Sequence, residues 1–577
     1  PYILNSYEKI FDLTADEPRV LFASRSPKKQ GEVLSSGELP EGTRFCFATY
    51  SQFNKRESVK AQYLRQVASG ALLIEDESHN AAGDSNIGAV ISSVEELAAC
   101  CLYSSATFAA KPENMRAYQK ALPAFFKGQD VASVLRVGGQ SLQAALAQGM
   151  TADGRLLRRE HDLSGISIDV VIDTRRHDLH KGFADALSPI LSTMAKLSRR
   201  VSGKVDTLNE QNSEFVKSPS AKRAKDARER WTAGNFGGRL GLITRQFLTA
   251  LKIDLCVEEC LKVLGRGDKP VIVIDITMES VLRELQDAVD GAVWSGHELF
   301  GSLISIENGK SAPSFGDALS VMLRRIMTIK VRRSGDDPQE VAVLDEELMQ
   351  EAAEIMGLIS AFPKLPLSPM DSVREALEAS LKPGGGTWAV GEITGRSMRV
   401  QNGICEPMPA RNRNETVIAY NNGSLDVVFI TRPGSAGLSL HASDRVKDKR
   451  RRILIEMEIP SSVVNRIQRW GRVNRRGQTS IPGFMTLATA LPFEVRNMAI
   501  QNKKVEDLSA QVTANAETAT LVDVPDLMNS VGNEVCKRLL HSRPQWAEAM
   551  DISLNPEDED DLYYVNKFLF RLILLTS

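Results

Sequence analysis

The sequence is short of several things, and each shortage closes off a class of function. No apolar run approaches the ~20 residues that span a bilayer; the longest, Phe568 to Leu575, is interrupted by Arg571. No signal-peptide pattern opens it. Charge of neither sign is in excess. Lys and Arg total 71 against 73 Asp and Glu, a net charge of −2, which excludes a globally basic nucleic-acid coat but leaves room for a local basic groove. Seven cysteines without a CxxC pair argue for a reducing compartment and against a disulfide scaffold or zinc ribbon. Cys256 and Cys260, four apart on an expected helix, read as plain burial. His161, His177 and His180 offer one i, i+3 pair but no third ligand, so they read as surface residues rather than a metal site.

What is present is an ordinary globular balance, 42% hydrophobic and 25% charged over 577 residues. That length corresponds to about three or four compact units. The sequence starts at Pro1 and stops in an apolar stretch at Ser577, and both ends read as cuts through something larger. Brief apolar runs separated by helical patterns, at 19–24, 44–50, 71–75 and 101–104, predict buried parallel strands. A second block of the same kind starts near 256, with strands at 269–275, 387–392, 426–431 and 452–458. Residues 190–232 are polar and helical, with ten Lys/Arg against five Asp/Glu. They read as a solvated arm or as a nucleic-acid contact.

The strongest local signal in the first block is Leu72-Leu-Ile-Glu-Asp-Glu-Ser-His79. Its apolar residues drive a strand into a sheet, and its acids arrive at the carboxyl end, where open α/β sheets bind ligands. Asp76, with Glu77 beside it, suits a Mg²⁺ ion. Glu77 suits the orientation and deprotonation of an attacking water. His79 is placed to sense a γ-phosphate or to link this motif to the next, Ser105-Ala-Thr107. Thr49 and Ser51, at another strand end, suit phosphate contacts along a nucleic-acid strand. In the second block, Thr431-Arg-Pro-Gly-Ser-Ala-Gly-Leu-Ser-Leu440 has the small residues that let backbone amides approach phosphate. Gln468-Arg-Trp-Gly-Arg-Val-Asn-Arg-Arg-Gly-Gln478 follows. If helical, it sets Arg472 and Arg475 on one face, a pair suited to clamping a γ-phosphate. Trp470 reads as packing rather than base stacking. Arg445 to Arg452, six basic residues in eight, reads as a phosphate-backbone contact or as a solvated approach to the next strand.

In this order, the acidic box, Ser-Ala-Thr, the Gly/Ser loop and the arginine motif resemble superfamily 2 helicases and translocases. Within them the sequence resembles the strawberry notch family and its bacterial and phage relatives. The cues are Tyr103-Ser-Ser-Ala-Thr107 with Lys111-Pro-Glu-Asn-Met115, Thr394-Gly-Arg396, Gly434 to Leu440 with Arg450-Arg-Arg452, Glu458-Ile-Pro460 and Tyr564 to Leu569. The resemblance implies an α/β fold of two RecA-like domains, parallel sheets flanked by helices, with ATP and Mg²⁺ used between them to drive movement on nucleic acid, DNA rather than RNA. The expected organisation is a partial first domain over 1–128 and a helical linker or accessory region over 129–255. A second domain follows over 256–500, with a helical insertion at about 285–385, and then a helical segment over 501–577.

The resemblance puts Asp76, Glu77 and His79 on a DEAH-like box. Gln468, Arg472 and Arg475 fall on the arginine-finger motif, and Gly437 on a nucleotide-contacting position. Thr49, Ser51, Ser105, Thr107, Thr394 and Ser435 fall on strand-contacting or coupling positions. One element is missing. No glycine-rich phosphate loop ending in Lys-Ser/Thr precedes the acidic box. Asn308-Gly-Lys-Ser311 lacks the earlier glycine and lies in the expected insertion. Either a preceding segment or a partner polypeptide supplies the loop, or the chain is an ATPase-inactive nucleic-acid-binding or scaffold fragment. A metal-dependent hydrolase using Asp76, Glu77 and His79 leaves the arginine motif unexplained. The resemblance implies a cytoplasmic bacterial or phage protein, or a nuclear one in a eukaryote, with no membrane part.

Overall fold

A computed structural model describes residues 19–21, 27–43, 45–82, 85–105, 112–126, 130–157, 165–217, 230–234, 236–289, 306–307, 310–311, 313–332, 339–409, 412–431, 438–460, 462–494, 497–499, 501–502, 530–550, 552–554, 564–565, 567–568 and 571. The chain divides into two compact units. The first takes residues up to 164 with Ser462–Gln468 and Gln501–Leu521; the second takes the remainder.

In the first unit, β1 (Arg19–Leu21) pairs in parallel with β2 (Phe45–Phe47). β3 (Leu72–Asp76) pairs in parallel with β4 (Cys100–Ser104), Leu72 opposite Cys100 and Asp76 opposite Ser104. Between the last two runs α1 (Asn86–Leu97), capped by Ser85 Oγ accepting from the Gly88 amide at 3.1 Å. It buries Val90, Ile91 and Val94 against Phe53, Ala61 and Tyr63. Each such aliphatic side chain contributes roughly 1.5–3 kcal/mol as an upper bound. The helix at Val131–Ala152 breaks at Gly139, whose φ of +60° is a conformation L side chains rarely adopt. Across the β3–β4 pair, Glu75 and Tyr103 point to the packed side. Leu72 and Leu102 stay more than half exposed.

The second unit holds β5 (Ser167–Asp173), β6 (Arg230–Thr232), β7 (Lys269–Val273), β8 (Ile306–Glu307), β9 (Lys310–Ser311), β10 (Thr328–Arg332), β11 (Gln339–Ala342), β12 (Val390–Ile393), β13 (Met398–Gln401), β14 (Ile404–Pro407), β15 (Val427–Ile430), β16 (Arg452–Glu456) and β17 (Gly483–Thr489). Six of these make one all-parallel sheet in the order β12-β15-β7-β16-β17-β5. Its side chains alternate between two buried faces. Val271, Val273, Val428, Ile430, Leu454 and Phe484 pack on one side; Ile272, Val427, Phe429, Ile453, Ile455 and Leu487 pack on the other. Both faces are therefore covered, as parallel sheets require. Cys256 and Cys260 are fully buried on the second face, as the sequence predicts.

Around a separate apolar core stand α2 (His177–Lys217), α3 (Phe236–Leu251), α4 (Ile253–Gly265), α5 (Glu279–Val289), α6 (Phe315–Ile326) and the helix at Glu346–Ser360. All but α4 contribute buried residues to that core; α4 packs its own into the face of the parallel sheet that carries Ile272 and Phe429. Two expectations are corrected here. The segment read as a helical linker supplies the edge strand β5. The segment read as a helical insertion also contains β10 and β11, which join β6 of the preceding region in an antiparallel sheet ordered β11-β10-β6, beside α6 and α7 (Pro369–Ala379). Lys310 and Ser311 form a hairpin strand, not the start of a helix after a phosphate loop; Asn308 and Gly309 lie outside the described residues. No described helix is long and apolar enough to cross a membrane.

Candidate active site around the acidic motif

β3 delivers the acidic motif and the chain turns sharply after it. Asp76 ends the strand, and its carboxylate makes no hydrogen bond or ion pair with the described residues. Glu77 takes a left-handed conformation, φ 52° and ψ 47°, and a 3₁₀ turn follows over Ser78–Asn80. A non-glycine residue there costs about 1–2 kcal/mol, offset locally where the Asn80 amide nitrogen donates to the Glu77 carbonyl at 3.0 Å. Ser78 is buried and bonds the Tyr118 hydroxyl at 3.2 Å.

That turn aims His79 at two partners. Its Nδ1 lies 2.9 Å from Ser105 Oγ and 3.4 Å from Glu77 Oε2. The segment Ser462–Gln468, which belongs to the same unit, brings Gln468 Nε2 to 3.4 Å from Glu77 Oε2 and 3.3 Å from His79 Nε2. The protons can be assigned from this arrangement. An amide nitrogen carries two donors, so Gln468 donates one to the carboxylate and one to His79 Nε2. His79 is then a neutral imidazole with its proton on Nδ1, donating to Ser105. Four expected residues, Glu77, His79, Ser105 and Gln468, are thus brought together.

The other expected residues are placed less directly. Thr49 Oγ1 and Ser51 Oγ bond each other at 3.2 Å on an exposed turn. Tyr50 between them lies within electrostatic reach of the acidic motif. Burial first, then the charges of Glu75, Asp76 and Glu77, hold its phenol well above its ordinary range. Thr107, Ser435 and Gly437 lie outside the described residues. Thr394 donates its hydroxyl to Glu392, inside an ion network that buries Arg396.

The premise that set Arg472 and Arg475 on one helical face is corrected. The helix α8 (Val463–Trp470) stops at Trp470, and the arginines lie in the turn that follows. Arg472 Nη1 donates to the Leu438 carbonyl at 3.4 Å, and Arg475 Nε to the Gly471 carbonyl at 2.7 Å. Trp470 stacks on Phe484 with ring centroids 4.4 Å apart, so it packs, as read from the sequence.

Sequence reasoning missed three features. Glu75, one residue before the acidic motif, points to the packed side of β3 and meets Glu95 of α1; both are buried. Desolvation raises both carboxyls well above the usual carboxylate range. An acid at an inward position of a strand was the available signal. Arg469, next to Gln468, is buried and held by Asp275. Burial, and then the charge of Arg245, lower it to about 10.

The third is where the arginines of the basic run at 445–452 go, since Arg450 to Arg452 turn to protein partners rather than to phosphate or open solvent. Lys449 donates to the Ser443 carbonyl, and Arg450 to Asp448 at 2.7 Å. Arg451 donates to Ser167 Oγ at 2.8 Å, and Arg452, fully buried, to the Leu440 carbonyl at 3.1 Å. Arg445, Lys447 and Lys449 are exposed cations. His180 is buried rather than at the surface, with its pKa lowered by desolvation.

Among the described residues, no group of three or more His, Cys, Asp or Glu side chains could hold a metal ion. Mg²⁺ does not need one, because it binds through one or two carboxylates plus substrate phosphates and water. The unpaired oxygen donors of Asp76 at the strand end fit that mode.

Residues 375–569 match the family model described as the C-terminal domain on strawberry notch homologues. The chain is 32% identical over 177 residues to FORGETTER 1 of Arabidopsis thaliana, covering 29% of this chain and 13% of that protein. It is 29% identical over 187 residues to human strawberry notch homolog 2, covering 30% and 13%. It is 27% identical over 235 residues to Drosophila melanogaster strawberry notch, covering 36% and 13%. The matched stretch thus spans about an eighth of the length of these curated relatives. The Hef helicase domain of Pyrococcus furiosus superposes over 86% of this chain and 85% of that one, at 12% identity and a TM-score of 0.31, too loose a fit to argue from.

Proposed function

The chain carries the C-terminal domain of the strawberry notch family over residues 375–569, and from that premise we propose that it works as an ATP-dependent translocase or helicase on nucleic acid, DNA in preference to RNA. The observation that carries the reading is the grouping of Glu77, His79, Ser105 and Gln468 at the end of β3. In this reading Glu77 orients the attacking water and accepts its proton. Gln468 holds the Glu77 carboxylate and the neutral His79 in one hydrogen-bonded set. Ser105 receives the Nδ1 proton of His79, so a change at the acidic motif is felt in the segment that follows β4. Asp76 would hold Mg²⁺, which when bound neutralises phosphate charge. Arg472 and Arg475 are proposed as phosphate-binding cations, a role that contributes about 10³–10⁵ in rate where it occurs.

No glycine-rich phosphate loop ending in Lys-Ser/Thr precedes the acidic motif in this sequence. The reading therefore assigns that loop to another segment or to a partner polypeptide. The test is ATP hydrolysis by the chain with and without single- and double-stranded DNA, beside Glu77→Gln. DNA-stimulated turnover that Glu77→Gln abolishes supports a motor that needs no added loop. Absence of turnover alongside salt-sensitive DNA binding supports the rival reading, an ATPase-inactive binding fragment. Turnover that survives Glu77→Gln refutes the role given to that carboxylate.

A further inference from the structure

The antiparallel sheet of the second unit carries positive charge that its neighbours do not neutralise. Along β10, Ile329 and Val331 are buried while Lys330 and Arg332 are exposed, the alternation of a half-buried strand. The register sets Arg332 directly opposite Arg230 of β6, also exposed. Like charges facing each other across an antiparallel pair are unfavourable, and among the described residues neither arginine is drawn into an ion pair. Lys330 is opposite Glu340 of β11, at 3.5 Å.

A second group of cations stands at the ends of two helices. Arg324 and Arg325, in the last turn of α6, both bind Glu284 of α5. Arg239 of α3 makes no ion pair among the described residues. Its Nη1 is buried without a hydrogen-bond partner, and a Cβ on Gly234 would come within 2.7 Å of that nitrogen. Burial first, and then the neighbouring Arg325, lower the Arg239 pKa. The charge of Glu340, which lies opposite Lys330, acts on all three of these arginines. Among the described residues, six cations thus stand with two carboxylates. An unpaired, half-buried guanidinium is a costly arrangement without an anion.

We propose that this face binds the phosphodiester backbone of a nucleic-acid strand. Guanidinium forks suit phosphate oxygens. Lys330 and Arg332, two residues apart on an extended strand, stand roughly 6.6 Å apart and so follow a chain of separate charges. Trp231, the aromatic of β6, is partly buried against the helical core, so the face offers no stacking platform and reads backbone rather than base. The proposal rests on the nucleic-acid half of the function above and is independent of ATP use.

The experiment measures binding of the full chain to a fluorescent single-stranded DNA, and to an RNA of the same sequence, across a NaCl series. The variant is Arg230→Gln with Arg239→Gln and Arg332→Gln. Single-strand binding steepens by about 0.7 in log–log slope per phosphate contact, so three lost contacts reduce the slope by roughly two. The reduction is the same for unrelated sequences, and basal ATP hydrolysis without nucleic acid is unchanged. The triple lysine variant, which keeps the charges, retains most of the slope. Arg230→Gln alone, at an exposed position, supplies the reading if the triple variant melts early. A wild-type slope in a variant with unchanged Tm overturns the proposal and leaves the motor reading intact. So does capture of poly-glutamate in preference to DNA and RNA, which marks an acidic protein as the partner. Failure of the wild-type chain to bind either nucleic acid overturns the proposal and the nucleic-acid half of the function, while the Glu77→Gln assay still reports on ATP use.

Discussion

Replacing Arg396 by methionine removes a charge that the second unit has built around. The Arg396 side chain is fully buried. Its Nη1 donates to Asp371 Oδ2 at 2.7 Å, Nη2 to Glu392 Oε2 at 2.9 Å and Nε to Glu392 Oε1 at 2.6 Å. Arg374 also binds Glu392, and the Ser368 hydroxyl donates to Asp371 at 2.6 Å. Methionine fills similar space but leaves two buried carboxylates facing one remaining arginine. Breaking a buried pair in this way costs about 3–5 kcal/mol.

The pH dependence gives an independent check. Burial alone would raise the Glu392 carboxyl, but hydrogen bonds and charge from Arg396, then charge from Arg374, outweigh it and hold the group at about 2 against an ordinary 4.5. A depressed folded pKa means that the unfolded chain takes up the proton first. The stabilisation is present above about 4.5 and is lost as the pH falls towards 2, and a shift of that size is worth roughly 3 kcal/mol. Arg396→Met should therefore show its full deficit at pH 7 and a smaller one near pH 3.5, in urea titrations followed by tryptophan fluorescence. A deficit below 1 kcal/mol at pH 7, or one that does not change with pH, refutes the account.

Three further outcomes follow from the same structure. Glu95→Gln removes one carboxyl of the buried Glu75–Glu95 pair. Because the folded pKa values are raised, the wild type loses stability as pH rises above the carboxylate range, so the variant should be the more stable of the two at pH 9 and lose that advantage near pH 5, measured by urea unfolding. Gln468→Ala removes the amide 3.4 Å from Glu77 and 3.3 Å from His79; stability should change by less than about 1 kcal/mol while kcat for ATP drops at least about tenfold, and a kcat within twofold of wild type would sink the assigned role. Trp470→Ala removes the ring stacked on Phe484 and should cost about 3–5 kcal/mol, whereas Trp470→Phe should cost far less.

Much of the fold was legible because buried parallel strands write continuous apolar runs. β3, β4, β7, β15 and β16 all fall where those runs predict them. β17, Gly483–Thr489, is as fully buried as any of them yet escaped notice beside the arginine motif. β5 escaped for a different reason. It is an edge strand with Asp169 and Asp173 in it, and its pattern of partial exposure resembles neither a buried strand nor a helix. The short polar strands β6, β10 and β11 carry no apolar run at all; only the three-stranded register gives them meaning. In the candidate site, residue order in the sequence pointed to Glu77, His79, Ser105 and Gln468, since such chemistry has a characteristic order. The destination of the arginines at 450–452 was not legible. A basic run looks the same whether its charges meet solvent, phosphate or, as here, Asp448 and backbone carbonyls.

The exposed side of the β3–β4 pair has a practical consequence for anyone handling this chain. Leu72 and Leu102 stand more than half exposed on it, with Cys100 exposed opposite Leu72. Apolar side chains exposed together on one face give copies of the chain a surface on which to associate, and an accessible thiol beside them can cross-link copies once air oxidises it. Concentrated samples should therefore scatter light increasingly with time. Reductant should slow only the covalent part of that growth, and Leu102→Lys should slow the whole of it.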